Sequence, residues 1–185
     1  FMPGERPEDA LKEGAALWAS GISTVVTCLG ENVANQREVD DVADAYVRVT
    51  NQIAERELNT HLSVKLTHLG LDLGEDVATR SLDRIAQAAG EHGNFVWVDV
   101  DSDRAGDATR RVFEAAREAR PNFGRCLQAY LHRTPEDVER IAGAGAPVRL
   151  VKGAYQEPPE VAMPVKRDVD DAYEKLALRL IELRQ

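Results

Sequence analysis

Four apolar runs in this chain each carry polar groups that could do chemistry. They are Leu62-Ser63-Val64-Lys65-Leu66-Thr67, Phe95-Val96-Trp97-Val98-Asp99-Val100-Asp101, Cys126-Leu127-Gln128-Ala129-Tyr130-Leu131 and Val148-Arg149-Leu150-Val151-Lys152-Gly153-Ala154-Tyr155. Apolar runs of this length, bounded by turn residues, read as strands packed on both faces. An arginine inside such a run must be paired, because an unpaired buried charge is too costly to keep. The polar groups fall near the C-terminal ends of the runs, which in parallel α/β folds is the ligand-binding edge. Together they describe an active site assembled strand by strand. Arginine contributes a planar, permanently charged fork, glutamine both donors and an acceptor, and lysine a compact charge suited to a small carboxylate. Strand alternation would place Ser63, Lys65 and Thr67 on one face, with Val64 and Leu66 on the other.

The elements that position these groups alternate. Residues 7–20 read as a helix, 22–29 as the first strand with Gly30-Glu31-Asn32 as its loop, and 38–58 as a long helix. Strands follow at 63–67, 95–99, 126–131 and 148–152. Helices follow at 75–91, at 104–120 capped by Ser102-Asp103, after Thr134, and from Asp168 to the C-terminus. Thr134-Pro135-Glu136-Asp137 reads as an N-cap, a proline at N1 and a carboxylate at N3. Gly143-Ala144-Gly145 ends that helix rather than cradling a phosphate.

Strict alternation implies a parallel sheet with right-handed crossovers. No Gly-x-Gly-x-x-Gly turn follows the first strand, so a Rossmann dinucleotide site is unsupported. Polar groups spread over several strand ends favour a (β/α)8 TIM-type barrel. Eight units need about 250 residues, and only five are visible, so the expectation is an incomplete barrel.

Composition narrows the class. The chain has 185 residues, 43% of them hydrophobic, enough for a core in one domain or part of one. A formal net charge of −9 argues against a nucleic-acid partner. No apolar run approaches the roughly 18 to 20 residues needed to span a bilayer. Phe1-Met2-Pro3-Gly4-Glu5 shows no signal-peptide pattern. Cys28 and Cys126 read as buried free thiols of a reducing cytoplasm. His61, His68, His92 and His132 lack metal-ligand spacing, and Arg110-Arg111 reads as a solvated helix face.

The four motifs, with Leu29-Gly30-Glu31-Asn32, resemble the proline dehydrogenase domain, in order and interval, over nearly the whole chain. The resemblance implies an FAD-dependent barrel that oxidises L-proline to Δ1-pyrroline-5-carboxylate, a hydride leaving C5 of proline for the flavin N5. It implies a quinone as electron acceptor, hence peripheral contact with the inner membrane face, and a fused or separate pyrroline-5-carboxylate dehydrogenase. By the same resemblance Lys65 lies beside the substrate carboxylate and Tyr155 over the substrate. Asp99 fixes Lys65 and the site, and Arg149 sits at the flavin's reactive nitrogen. Val100 meets the flavin through its backbone, Gln128 bonds the isoalloxazine edge, and Lys152, Gly153 and Ala154 line the phosphate and ribityl side. Reducing a flavin places negative charge on its ring, which fixed cations and donors stabilise.

Residues 1–185 would then form a barrel domain lacking its C-terminal βα units. The family's Thr-His strand end and its last helix with paired arginines are not visible in these residues. The alternatives are a non-catalytic half-barrel completed by another chain, and a barrel aldolase using Lys65 or Lys152 as a Schiff base. Plain structural roles also stand open: a Lys65–Asp99 interior ion pair, Gln128 as a core amide, Tyr155 as packing and Asp101 as a loop residue.

Overall fold

The computed structural model describes residues 2–30, 32–100 and 106–183. The elements run α1 (Pro7–Trp18), β1 (Thr24–Thr27), α2 (Gln36–Glu55), β2 (Thr60–Val64), α3 (Glu75–Glu91), β3 (Val96–Val98), α4 (Gly106–Ala119), β4 (Phe123–Gln128), α5 (Thr134–Gly143), β5 (Val148–Val151) and α6 (Lys166–Leu183). The strands form one sheet in the order β1-β2-β3-β4-β5, and each neighbouring pair is parallel. The sheet curls, with the helices outside, as an incomplete TIM-like barrel requires. No helix among the described residues is long and apolar enough to cross a membrane.

The core lies between sheet and helices. Leu62, Val64, Val96, Val98, Phe123 and Leu127 point outward from their strands and bury against Tyr46, Ile53, Leu82, Ile85, Phe113 and Ile141 of the helices. These alternate with the inward-facing residues, so each strand buries apolar side chains outward and presents the others to the interior. The long helix α2 opens on Asn35, whose side chain accepts from the Glu38 N–H at 3.1 Å, a normal N-cap.

Three local expectations are corrected. The second strand ends at Val64, and Thr67–Leu69 is a 3₁₀ turn. Leu66 is helical in backbone (φ −68°, ψ −28°), and this turn drives Leu66 and Leu69 into the core, fully buried. Lys65 thus stands just past the strand end, and Thr67 does not share its face through alternation. The fourth strand begins at Phe123, earlier than a charged residue at 125 suggests. Arg125 is 2% exposed, on the outer side of the sheet over the Phe113 ring, 5.7 Å from its centroid. Burial lowers its pKa to about 10, and its Nε and Nη1 have no hydrogen-bond partner. Thr134 does not cap α5. Its hydroxyl donates to the Gln128 carbonyl at 2.5 Å and anchors the end of β4 instead. The expected cap Ser102-Asp103, Arg104, Asp101 and Glu31 lie outside the described residues.

Candidate active site at the C-terminal strand ends

Arg149 organises the inner face. It lies on β5, in register with Cys126 on β4. Its Nη2 donates to the Asp99 carboxylate, at the end of β3, and to Ser63 Oγ on β2 at 3.1 Å. The guanidinium carbon stands 5.9 Å from the Trp97 ring centroid, within cation–π range. Side chains from β2 and from β3 and its end therefore hold the guanidinium that β5 carries, and Trp97 and Asp99 lie two positions apart on one face. Arg149 Nε is buried and has no partner.

Gln128 ends β4 on the same face, two residues beyond Cys126. Its Nε2 donates to the Val100 carbonyl at 3.4 Å, while its Oε1 is buried without a partner. Both Gln128 and Val100 are buried. The Thr134 hydroxyl on the Gln128 carbonyl, and bonds from Ala129 N to the Val151 carbonyl at 2.7 Å and Tyr130 N to the Lys152 carbonyl at 2.9 Å, fix the backbone here. Burial pushes the Cys126 thiol up, so beside Arg149 it stands as a neutral thiol.

Lys65 Nζ donates to Tyr155 Oη at 2.9 Å and lies 5.6 Å from that ring's centroid. The two residues join the end of β2 to the loop after β5. The partner of Asp99 is Arg149, where the sequence reading had Lys65. Gly153 adopts φ +122°, and a Cβ there would run into the Tyr130 ring, so only glycine suits this turn. Ala154 and Tyr155 follow it on the exposed side. Lys152 is directed elsewhere. Its Nζ pairs with Asp170 of α6 at 2.6 Å, a carboxylate shared with Lys166 at 2.5 Å.

The structure therefore brings Lys65, Asp99, Val100, Gln128, Arg149 and Tyr155 to one end of the sheet. Lys152 reaches that end by its backbone, with its charge engaged by α6. Sequence reasoning missed the roles of Ser63, Trp97 and Tyr46. The Tyr46 hydroxyl donates to the Ser63 carbonyl at 2.9 Å and accepts from the Cys28 N–H at 3.0 Å. It ties the ends of β1 and β2 together, and burial pushes its pKa up. A tyrosine on the apolar side of a helix, facing a strand end, was the available signal.

A buried donor on Arg149 and a buried acceptor on Gln128, both without partners, sit on one concave face. Buried polar groups are normally satisfied. The pair suits a planar heteroaromatic ring whose edge offers both acceptors and donors. Comparison with known proteins identifies the family. The family model for proline dehydrogenase matches residues 10–185. Proline dehydrogenase 1 of Bacillus subtilis (strain 168) is 34% identical over 176 residues, 95% of this chain and 58% of that protein. Proline dehydrogenase of Deinococcus radiodurans is 30% identical over 184 residues, 97% of this chain and 59% of that protein. The chain thus spans less than two thirds of the length of these relatives.

Among solved structures, proline utilization A from Bdellovibrio bacteriovorus, inactivated by N-propargylglycine, superposes with a TM-score of 0.87 at 26% identity, covering 99% of this chain and 24% of that one. The Bradyrhizobium japonicum proline utilization A mutant D778Y shares the fold, with a TM-score of 0.80 at 24% identity, covering 98% of this chain and 22% of that one. The match runs through all five strands and the helices between them, and on that ground the chain belongs to the proline dehydrogenase family.

Proposed function

We propose that the protein oxidises L-proline to Δ1-pyrroline-5-carboxylate with FAD bound at the inner end of this sheet. The observation that carries the reading is the unpartnered pair, Arg149 Nε and Gln128 Oε1, buried beside the Asp99–Arg149–Ser63 cluster. The residues present fit the cofactor. Gln128 Oε1 would accept from a ring N–H, and Arg149 Nε would donate to a ring acceptor. Val100, Gly153 and Ala154 present backbone and small side chains, and Lys152 is within reach of a phosphate once it leaves Asp170. When bound, the flavin supplies the two-electron oxidant for proline.

The protein's own residues do the remaining work. Arg149 holds a fixed positive charge where negative charge develops, and Asp99 and Ser63 keep it from swinging away. Lys65 binds the proline carboxylate, and the Tyr155 ring covers the substrate and excludes water. In this proposal residues 1–185 belong to one barrel-type domain. Electrons pass to a quinone at the inner membrane face, and the product goes to a dehydrogenase, fused or separate. A Schiff-base aldolase needs a desolvated neutral lysine. Lys152, half exposed and ion-paired with Asp170, and Lys65, bonded to Tyr155, do not supply one.

The test is reconstitution of the purified protein with FAD. Loss of the flavin absorbance band on addition of L-proline, and proline-dependent reduction of a quinone analogue, are expected. A flavin-loaded protein that proline leaves fully oxidised would refute the reading.

A further inference from the structure

Arg149 donates to two oxygen acceptors, Ser63 Oγ and the Asp99 carboxylate, and both bonds fall on one nitrogen, Nη2. Two bonds to a single terminal nitrogen fix that atom, and the neighbouring Cys126 thiol, a weak hydrogen-bond partner, adds little hold on the plane of the group. Where the unpartnered Nε points then depends on whatever supports the flat face of the group. That support is the Trp97 ring, 5.9 Å from the guanidinium carbon.

Trp97 is itself held on three sides. Its Nε1–H donates to His61 Nδ1 at 3.3 Å. Phe95 packs edge-on, with ring centroids 5.0 Å apart at 60°. Across the ladder its partner in register is Gly124. A Cβ at Gly124 would lie 2.5 Å from Trp97 Cζ3 and 2.7 Å from Cε3. Real Cβ atoms do not approach so closely, so the indole occupies its place only because residue 124 has no side chain. Gly124 is not needed for a left-handed backbone, since it does not appear among the positive-φ glycines. Its role is space.

We propose that Trp97, seated by Gly124, is a positioning residue that sets the plane of the Arg149 guanidinium and so aims its Nε. This rests on the proposed reading only in naming the flavin as the group that Nε meets. Packing alone would ask for any large apolar side chain at 97. Positioning asks for an aromatic face.

The experiment compares Trp97→Leu, Trp97→Phe and Gly124→Ala in the FAD-loaded protein, by crystal structure, flavin midpoint potential and proline kinetics. Trp97→Leu is expected to let the guanidinium rotate and to lower the midpoint potential. It is also expected to lower kcat about tenfold with KM little changed. Gly124→Ala, which displaces the indole without removing it, moves all three the same way. Trp97→Phe keeps a ring beneath the guanidinium and restores most of the effect. The inference is overturned if Trp97→Leu or Gly124→Ala lowers the melting temperature but leaves the guanidinium and the potential where they were. If Trp97→Leu does not fold, Gly124→Ala and Trp97→Phe decide by the same readouts. Should the wild-type protein prove inert toward proline, the proposed function fails, while the crystal structures still decide where Arg149 points.

Discussion

Arg149 and Asp99 are joined in an ion pair 50 positions apart in sequence, and the strands that carry them are not neighbours. β4 lies between β3 and β5, so the pair bridges two strand spacings, about 10 Å in a flat sheet. Two features make this reach achievable. The curl of the sheet brings alternate strands closer on the concave side, and arginine is long enough to cover the rest. The pair therefore reports the curvature as well as the chemistry.

Arg149→Met is expected to cost about 100- to 1,000-fold in kcat for proline with the fold intact, as for loss of one fixed electrostatic donor. Circular dichroism checks the fold and steady-state kinetics the rate. Turnover near the wild-type value would leave Arg149 a strand tie and nothing more.

Lys65→Ala should act on a different constant. With Lys65 facing the proline carboxylate, its loss raises KM by about 10- to 100-fold, the worth of a charged hydrogen bond. Because Asp99 is held by Arg149, the variant leaves no buried carboxylate stranded, and stability changes by about 0.5 kcal/mol or less. A marked fall in the denaturation midpoint, with KM unchanged, would reassign Lys65 to structure.

Tyr46→Phe tests the tie between β1 and β2. The hydroxyl donates to the Ser63 carbonyl and accepts from the Cys28 N–H in a buried setting. Its removal is expected to destabilise by about 1–3 kcal/mol. Urea denaturation reads this directly.

His61 gives the stability a pH dependence. Burial lowers its pKa from the ordinary 6.5, and its Nδ1 accepts from Trp97, which requires a lone pair there. Below pH 6.5 the unfolded chain takes up a proton that the folded chain resists. The unfolded state then binds more protons, and stability falls as pH falls, until the folded pKa is passed. His61→Gln, which can still accept from Trp97, should flatten this part of the profile. Identical profiles for the two proteins would rule the group out.

The alternation of elements, the parallel order and the strand-end placement of Lys65, Asp99 and Gln128 were legible because periodicity and turn residues are local signals, whereas Arg149 sits second in β5 and reaches that end by its length. What was not legible is which groups pair. Asp99 meets Arg149 rather than Lys65 because the curl, invisible in any one strand, decides which inward side chains converge. Lys152 turns to Asp170 because α6 returns beside it, a fact of tertiary packing. Arg125 obscured the start of β4, since a charge in an apolar run suggests a boundary. Its buried seat depends on Phe113, twelve residues earlier on the preceding helix. Gly124 drew no attention in the sequence and is the space that an indole from the neighbouring strand fills.

The sequential order of the strands bears on how the molecule forms. Among the described residues every strand pairs with the next one along the chain, as with Thr24 and Thr60, 36 residues apart, so none of these four pairings waits for a distant segment. Each new unit can dock on an edge already built, and loop closure stays cheap throughout. A polypeptide emerging from the ribosome can therefore add to the sheet from its N-terminal end, unit by unit. The Arg149–Asp99 pair comes late in that order, because it needs the fifth strand. The guanidinium that the site depends on is thus set only after the scaffold beneath it, Trp97 and Gly124 included, has been laid down.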